Sequence, residues 1–185
     1  IATLKEVLAP AMEGGYAVAG LVTLGWEDMR AYVRAAEEES VSIILQAGPS
    51  CRSHTPLPIL GKMFNHLANE ASVPVVAHLD HGYTEEECRE AIECGFTSVM
   101  FDGSRLPLKE NIDKTARIAE LAHAAKFPVK VKLALSATLT ASNQTVQNLQ
   151  KLKSSQLRPK SMQWRYPSAT FLSLIHISEP TRPST

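Results

Sequence analysis

In the first 129 residues a short apolar run gives way to an amphipathic helix again and again, and this alternation constrains the fold more than any other feature. Runs at 16–24, 41–46, 73–79 and 97–101 read as strands, rich in β-branched residues and bounded by Gly or Pro. A helix from about residue 4 to 13 precedes the first, opened by the capping box of Thr3 and Glu6 and stopped by Gly14-Gly15. Helices at 26–39, 58–71, 85–94 and 107–125 follow the four strands in turn, and 127–129 begins a fifth strand. In the first of these, Met29, Tyr32, Val33 and Ala36 share one face. Strands joined by helical crossovers run parallel with the helices outside. A doubly wound sheet and a TIM barrel both fit. No G-x-G-x-x-G follows the first strand, which weighs against a dinucleotide fold. Polar residues gathered at the ends of strands two, three and four suit a barrel.

The third strand runs through Val75, Val76 and Ala77 into Asp80, His81 and Gly82. Thr84, with Glu87 three places on, reads as the capping box of the next helix. Asp80 and His81 therefore sit at a strand's C-terminal end, the edge where parallel α/β proteins do their chemistry. Asp supplies a proton-transfer carboxylate and His a metal ligand. A helix cap beside a solvated His is the plainer reading of the same pair.

The chain has 185 residues, the length of one domain, with 19 basic and 19 acidic residues. A balanced charge argues against nucleic-acid and membrane partners, and no apolar run approaches the ~20 residues of a membrane span. No signal peptide opens the chain, and a first residue of Ile1 implies that the true N-terminus is missing. Cys51, Cys88 and Cys94 form no C-x-x-C pair and read as reduced, mostly packing thiols, as in the cytoplasm. The balance hides a split. Residues 1–129 hold 18 acidic and 11 basic side chains, a net of −7, whereas 130–185 hold one and eight, a net of +7. All nine glycines precede residue 104.

Three motifs carry a resemblance: AHLDHG at 77–82, GFTSVMFDGS at 95–104, and LP at 106–107 with ENI at 110–112. In this order they resemble the class II, zinc-dependent fructose-bisphosphate and tagatose-bisphosphate aldolases. The resemblance covers residues from about 3 to 129 and implies a TIM (β/α)8 barrel, here its first four to five βα units. It implies a lyase of carbohydrate metabolism and glycolysis, cleaving a ketose bisphosphate to dihydroxyacetone phosphate and an aldehyde. Asp80 matches the acid/base that exchanges the proton of the carbon-four hydroxyl. His81 matches one of three zinc-binding histidines, and Asp102 a ligand of a second divalent metal in some members. For Asp102, a turn-forming Asp before Gly103 is the alternative. Cleavage beside a ketone leaves an enediolate, whose charge zinc stabilises as a Lewis acid. A cytoplasmic homo-oligomer acting on a sugar phosphate is further implied. Two positions depart from the pattern. Leu21-Val22 stands where members carry Phe-Asn, and Gly48 where they carry Ser or Thr, so the substrate need not be fructose bisphosphate. His54, His66, His78 and His123 read as surface or packing residues.

After Val129 the resemblance breaks. The family continues as Val-Glu-x-Glu-Leu/Ile-Gly, but residues 129–134 read VKVKLA. Deleting one base from GTC GAA GGT GAA ATT GGC turns VEGEIG into VKVKLA, and restoring it returns glycines and acids to the following stretch. Residues 130–171 are therefore expected to be an out-of-frame tail. Residues 172–185, with LSLIHISEPTR at 172–182, resemble a translated sequencing adapter. His176 falls in it and is no ligand. A genuine basic extension is the alternative. This reading makes the chain a truncated fragment, inactive by itself, of a metal-dependent aldolase. An inert fragment or a different TIM-barrel metal enzyme are the other readings.

Overall fold

The computed structural model describes residues 1–125 and the backbone of 131–133. Helix α1 (Leu4–Gly14) leads into β1 (Ala19–Val22), α2 (Trp26–Glu38), β2 (Ile43–Ala47), α3 (Pro49–His54) and α4 (Leu57–Glu70). Then come β3 (Val75–Gly82), α5 (Glu85–Glu93), β4 (Ser98–Phe101), α6 (Leu108–Ala124) and β5 (Val131–Leu133). Each strand pairs in parallel with the next, in the order β1-β2-β3-β4-β5. This order separates the two folds that the alternation allowed. A doubly wound sheet reverses direction at a switch point, whereas a barrel advances by one strand each time. The described strands never reverse, so they form the arc of a barrel.

Strand parity then assigns the two faces of the arc. Ile43, Leu45 and Ala47, Val75, Ala77 and Leu79, and Val99 and Phe101 pack into one buried cluster with Met29, Val33, Leu60, Phe64, Cys88, Ile92 and Ile118 of the helices. The alternate residues, Ile44, Gln46, Val76, His78, Ser98 and Met100, are also buried but face the other way. They form the inner face of the arc. Here His78 Nδ1 meets Ser98 Oγ at 2.7 Å, which gives these polar side chains a partner inside.

The elements begin and end for local reasons. Thr3 and Glu6 make the full reciprocal capping box, and Gly15 closes α1 at φ 65°. At α5 the box is half made: Thr84 Oγ1 accepts from the Glu87 amide, while the Glu87 carboxylate turns elsewhere. The first strand is shorter than the apolar run at 16–24, with Tyr16 and Leu24 exposed. Only Gly48 separates β2 from α3, a helix without apolar periodicity that Pro49 starts at its first turn. The fifth strand lies at Val131–Leu133, whereas residues 127–129 lie outside the described ones. Strand β5 thus falls within the first residues of the expected tail at 130–171, while the rest of that tail and the adapter stretch at 172–185 lie outside the described residues.

Candidate active site

Register explains how two neighbouring residues of one strand reach the same place. On β3 and β4, His78 pairs with Ser98 and Leu79 with Val99, but then Gly82 pairs with Phe101. Strand β3 thus spends one more residue than β4, a bulge at Asp80 and His81. Asp80 continues the inner-face parity of Val76 and His78. His81 would fall on the helix side, but its backbone turns left-handed, at φ 54°. That turn brings its ring back to the rim. Gly82 resumes the helix-facing parity so tightly that a Cβ there would lie 2.8 Å from Cys88 Sγ.

At the rim, His81 Nδ1 lies 2.6 Å from Asp102 Oδ2, and its Nε2 lies 3.9 Å from Asp80 Oδ1. The three side chains are 29%, 11% and 16% exposed for His81, Asp102 and Asp80. Asp102 follows β4 on the inner parity of Ser98 and Met100, and its Oδ1 accepts the Ser104 amide at 3.0 Å. Burial pushes the Asp102 carboxyl up, but hydrogen bonds from Ser104 and His81 outweigh it and hold the group below its ordinary value. An ionised carboxylate only accepts, so the shared proton sits on His81 Nδ1, and in the neutral ring Nε2 carries the lone pair. A carboxylate orienting an imidazole in this way is the usual support of a metal-binding histidine.

One further side chain, missed in the sequence, enters this rim. Arg52 of α3 has a side chain only 6% exposed. Its Nη1 donates to the Asp80 carbonyl at 2.7 Å and also to the Ala47 carbonyl, and its Nη2 donates to the His81 carbonyl at 2.8 Å. Its Nε donates to Glu87 Oε1 at 2.7 Å, while Glu87 Oε2 accepts the Tyr83 amide. This is where the second half of the α5 capping box has gone.

The two departures from the family pattern lie side by side. A Cβ on Gly48 would sit 3.6 Å from Val22 Cγ1, and Val22 and Leu24 are 48% and 60% exposed at the end of β1. This part of the rim is apolar. His54, His66 and His123 are exposed, with His66 stacked on Trp26, and His78 is buried against Ser98. Among the described residues, no group of three or more His, Cys, Asp or Glu side chains is gathered to hold a metal ion. His81 and its orienting carboxylate suit one ligand position of a zinc site; such a site takes three protein ligands.

A singly wound arc of parallel strands with helices between them defines part of an α/β barrel. The family described as fructose-bisphosphate aldolase class-II matches residues 2–144, and the chain belongs to it. The fructose-bisphosphate aldolase of Staphylococcus epidermidis is 36% identical over 136 residues, covering 72% of this chain and 48% of that protein. That of Streptococcus pyogenes serotype M1 is 35% identical over 136 residues, covering 72% and 46%. The chain spans about half the length of the curated relatives it matches. Among solved structures, the YdjI aldolase from Escherichia coli K12 superposes with a TM-score of 0.66 at 28% identity, over 72% of this chain and 50% of that one. Fructose-bisphosphate aldolase from Campylobacter jejuni, at 19% identity and a TM-score of 0.62 over 76% and 47%, shares the fold. Among the described residues no helix is long and apolar enough to cross a membrane.

Proposed function

We propose that this chain is the N-terminal part of a cytoplasmic, metal-dependent aldolase that cleaves a ketose bisphosphate, such as fructose or tagatose bisphosphate, to dihydroxyacetone phosphate and an aldehyde. The observation that carries the reading is the 2.6 Å bond from His81 Nδ1 to Asp102, which leaves Nε2 as the ligand nitrogen beside Asp80. His81 would hold zinc together with ligands from outside the described residues. When bound, the ion supplies Lewis-acid stabilisation of the charge that cleavage leaves next to the ketone. Asp80 moves the proton of the carbon-four hydroxyl, as a general acid/base placed on the inner rim. Asp102 orients the imidazole. Both of its oxygens already accept hydrogen bonds, yet each keeps a lone pair, so its place as a ligand of a second divalent metal stays compatible with the geometry. Leu21-Val22 and Gly48, where members carry Phe-Asn and Ser or Thr, mean that the substrate need not be fructose bisphosphate itself. The parent protein is a homo-oligomer on this reading.

Residues 130–171 are, in the same proposal, an out-of-frame tail and 172–185 an adapter-derived end. The chain by itself is then inactive and binds zinc weakly, because one imidazole cannot fill a four-coordinate site. The test joins a complete open frame from the same source to an assay. The complete protein should release dihydroxyacetone phosphate from a ketose bisphosphate, and Asp80→Ala should lower that rate by about 10²–10⁴-fold. The 185-residue chain should show no turnover and no stoichiometric zinc uptake. A complete frame that keeps VKVKLA and carries no further histidines at later strand ends would overturn the aldolase reading.

A further inference from the structure

We propose that Arg52 is a positioning residue for the Asp80–His81 pair, clamping the two carbonyls that flank His81 and so holding the left-handed bulge from which both side chains reach the rim. Its bearing on catalysis rests on the aldolase reading above; its bearing on the geometry does not. In a regular strand, successive carbonyls point to opposite sides, so one donor group cannot reach two in a row. Here the Asp80 and His81 carbonyls converge on the two terminal nitrogens of one guanidinium, at 2.7 and 2.8 Å. Convergence of this kind requires the peptide planes on either side of His81 to be turned toward each other, and φ 54° at His81 is that turn. For a residue that carries a Cβ, as His81 does, the turn is unfavourable on its own, and contacts from outside the strand hold it.

The planar fork of arginine suits the task. It offers five donors in fixed directions, and four bonds are made here, to Ala47, Asp80, His81 and Glu87. Glu87 accepts at Nε, fixing the far edge of the fork, and its other oxygen takes the Tyr83 amide just past the bulge. One network therefore ties the ends of β2 and β3 to the first turn of α5. Since Asp80 and His81 are neighbours on opposite strand parities, loss of the bulge would send the imidazole to the helix side and away from Asp102. The bonds of Arg52 to this pair run to the Asp80 and His81 carbonyls, so it acts on them through their backbone.

The measurement is made on this chain, without metal or substrate, by NMR of its histidine rings at a fixed neutral pH. In the unaltered chain, His81 should show an Nδ1-bound proton protected by its bond to Asp102. Arg52→Met should lose that signal, or exchange its proton about tenfold faster or more, as the loss of charge-assisted bonds implies. His78, on the same strand as His81 and bonded to Ser98 of β4, serves as the internal control and should be unchanged. Arg52→Lys, with one point charge in place of the fork, should keep the His78 and core signals without restoring His81. If Arg52→Met fails to fold, Arg52→Lys decides alone. An unchanged His81 signal in the folded variants would overturn the proposal, as would its absence from the unaltered chain. Failure of the aldolase assay would leave this readout untouched, so the two readings fall separately.

Discussion

His81 adopts a backbone conformation that costs an L-residue roughly 1–2 kcal/mol, and it does so at the rim, where its ring meets Asp102. The residue behind it shapes the site from below. Cys88 on α5 is fully buried with its sulfur directly beneath Gly82. Burial, with the neighbouring Glu87 charge adding to it, pushes this thiol from an ordinary value of 9.0 up to about 12. The raised value means that the thiol stays neutral in the folded chain through the range where an unfolded chain would ionise. The stability it carries is therefore complete below pH 9 and is lost progressively as the pH rises toward about 12. Urea unfolding of Cys88→Ala beside the unaltered chain should show the two curves converging, relative to neutral pH, across that alkaline window. A thiol reagent at pH 8 should leave Cys88 unmodified until urea is added. At this scale, the placement of Asp80, His81 and Asp102 at the ends of β3 and β4 was legible because short motifs carry them. Arg52 was not, since its partners Asp80, His81 and Glu87 lie 28, 29 and 35 residues away and no local pattern marks them.

Among the elements, the helices were the legible part, because a 3.6-residue apolar period survives in α2 and α4 whatever they pack against. The short α3 left no such period, and its only sign was Pro49 after Gly48. The bulge in β3 was hidden for a different reason: an alternation pattern states which residues are apolar, not where a strand spends an extra one. Thr84 and Glu87 gave the start of α5 correctly, but the pattern could not tell a carboxylate that caps from one that grips an arginine. Packing between helices also rests on features a pattern does not show. Gly61 of α4 lies against the C-terminus of α5, where an added Cβ would fall within contact of the Cys94 carbonyl oxygen. Gly61→Ala should force α4 from α5 and destabilise the chain by about 1–3 kcal/mol, outweighing alanine's better helix propensity. Thermal unfolding followed by far-ultraviolet circular dichroism checks it, and an unchanged midpoint would contradict the contact.

For the molecule as a whole, the strand order identifies the barrel and also its shortfall. The inner face of the arc carries Ile44, Val76 and Met100, and among the described strands β1 has a partner on one side only. A bare parallel edge invites pairing with another chain. The chain should therefore self-associate at micromolar concentration, which sedimentation velocity would reveal; a monomer at all concentrations would oppose it. The charge change at residue 130 was visible in the sequence, yet β5 at Val131–Leu133 still pairs with β4 beyond it. Because every crossover between the described strands steps one strand onward and none steps back, further strands would add at the outer edges of the arc. More βα units of the same kind, offered as a separate polypeptide, would need no threading through these. They would have only to lie down along two seams.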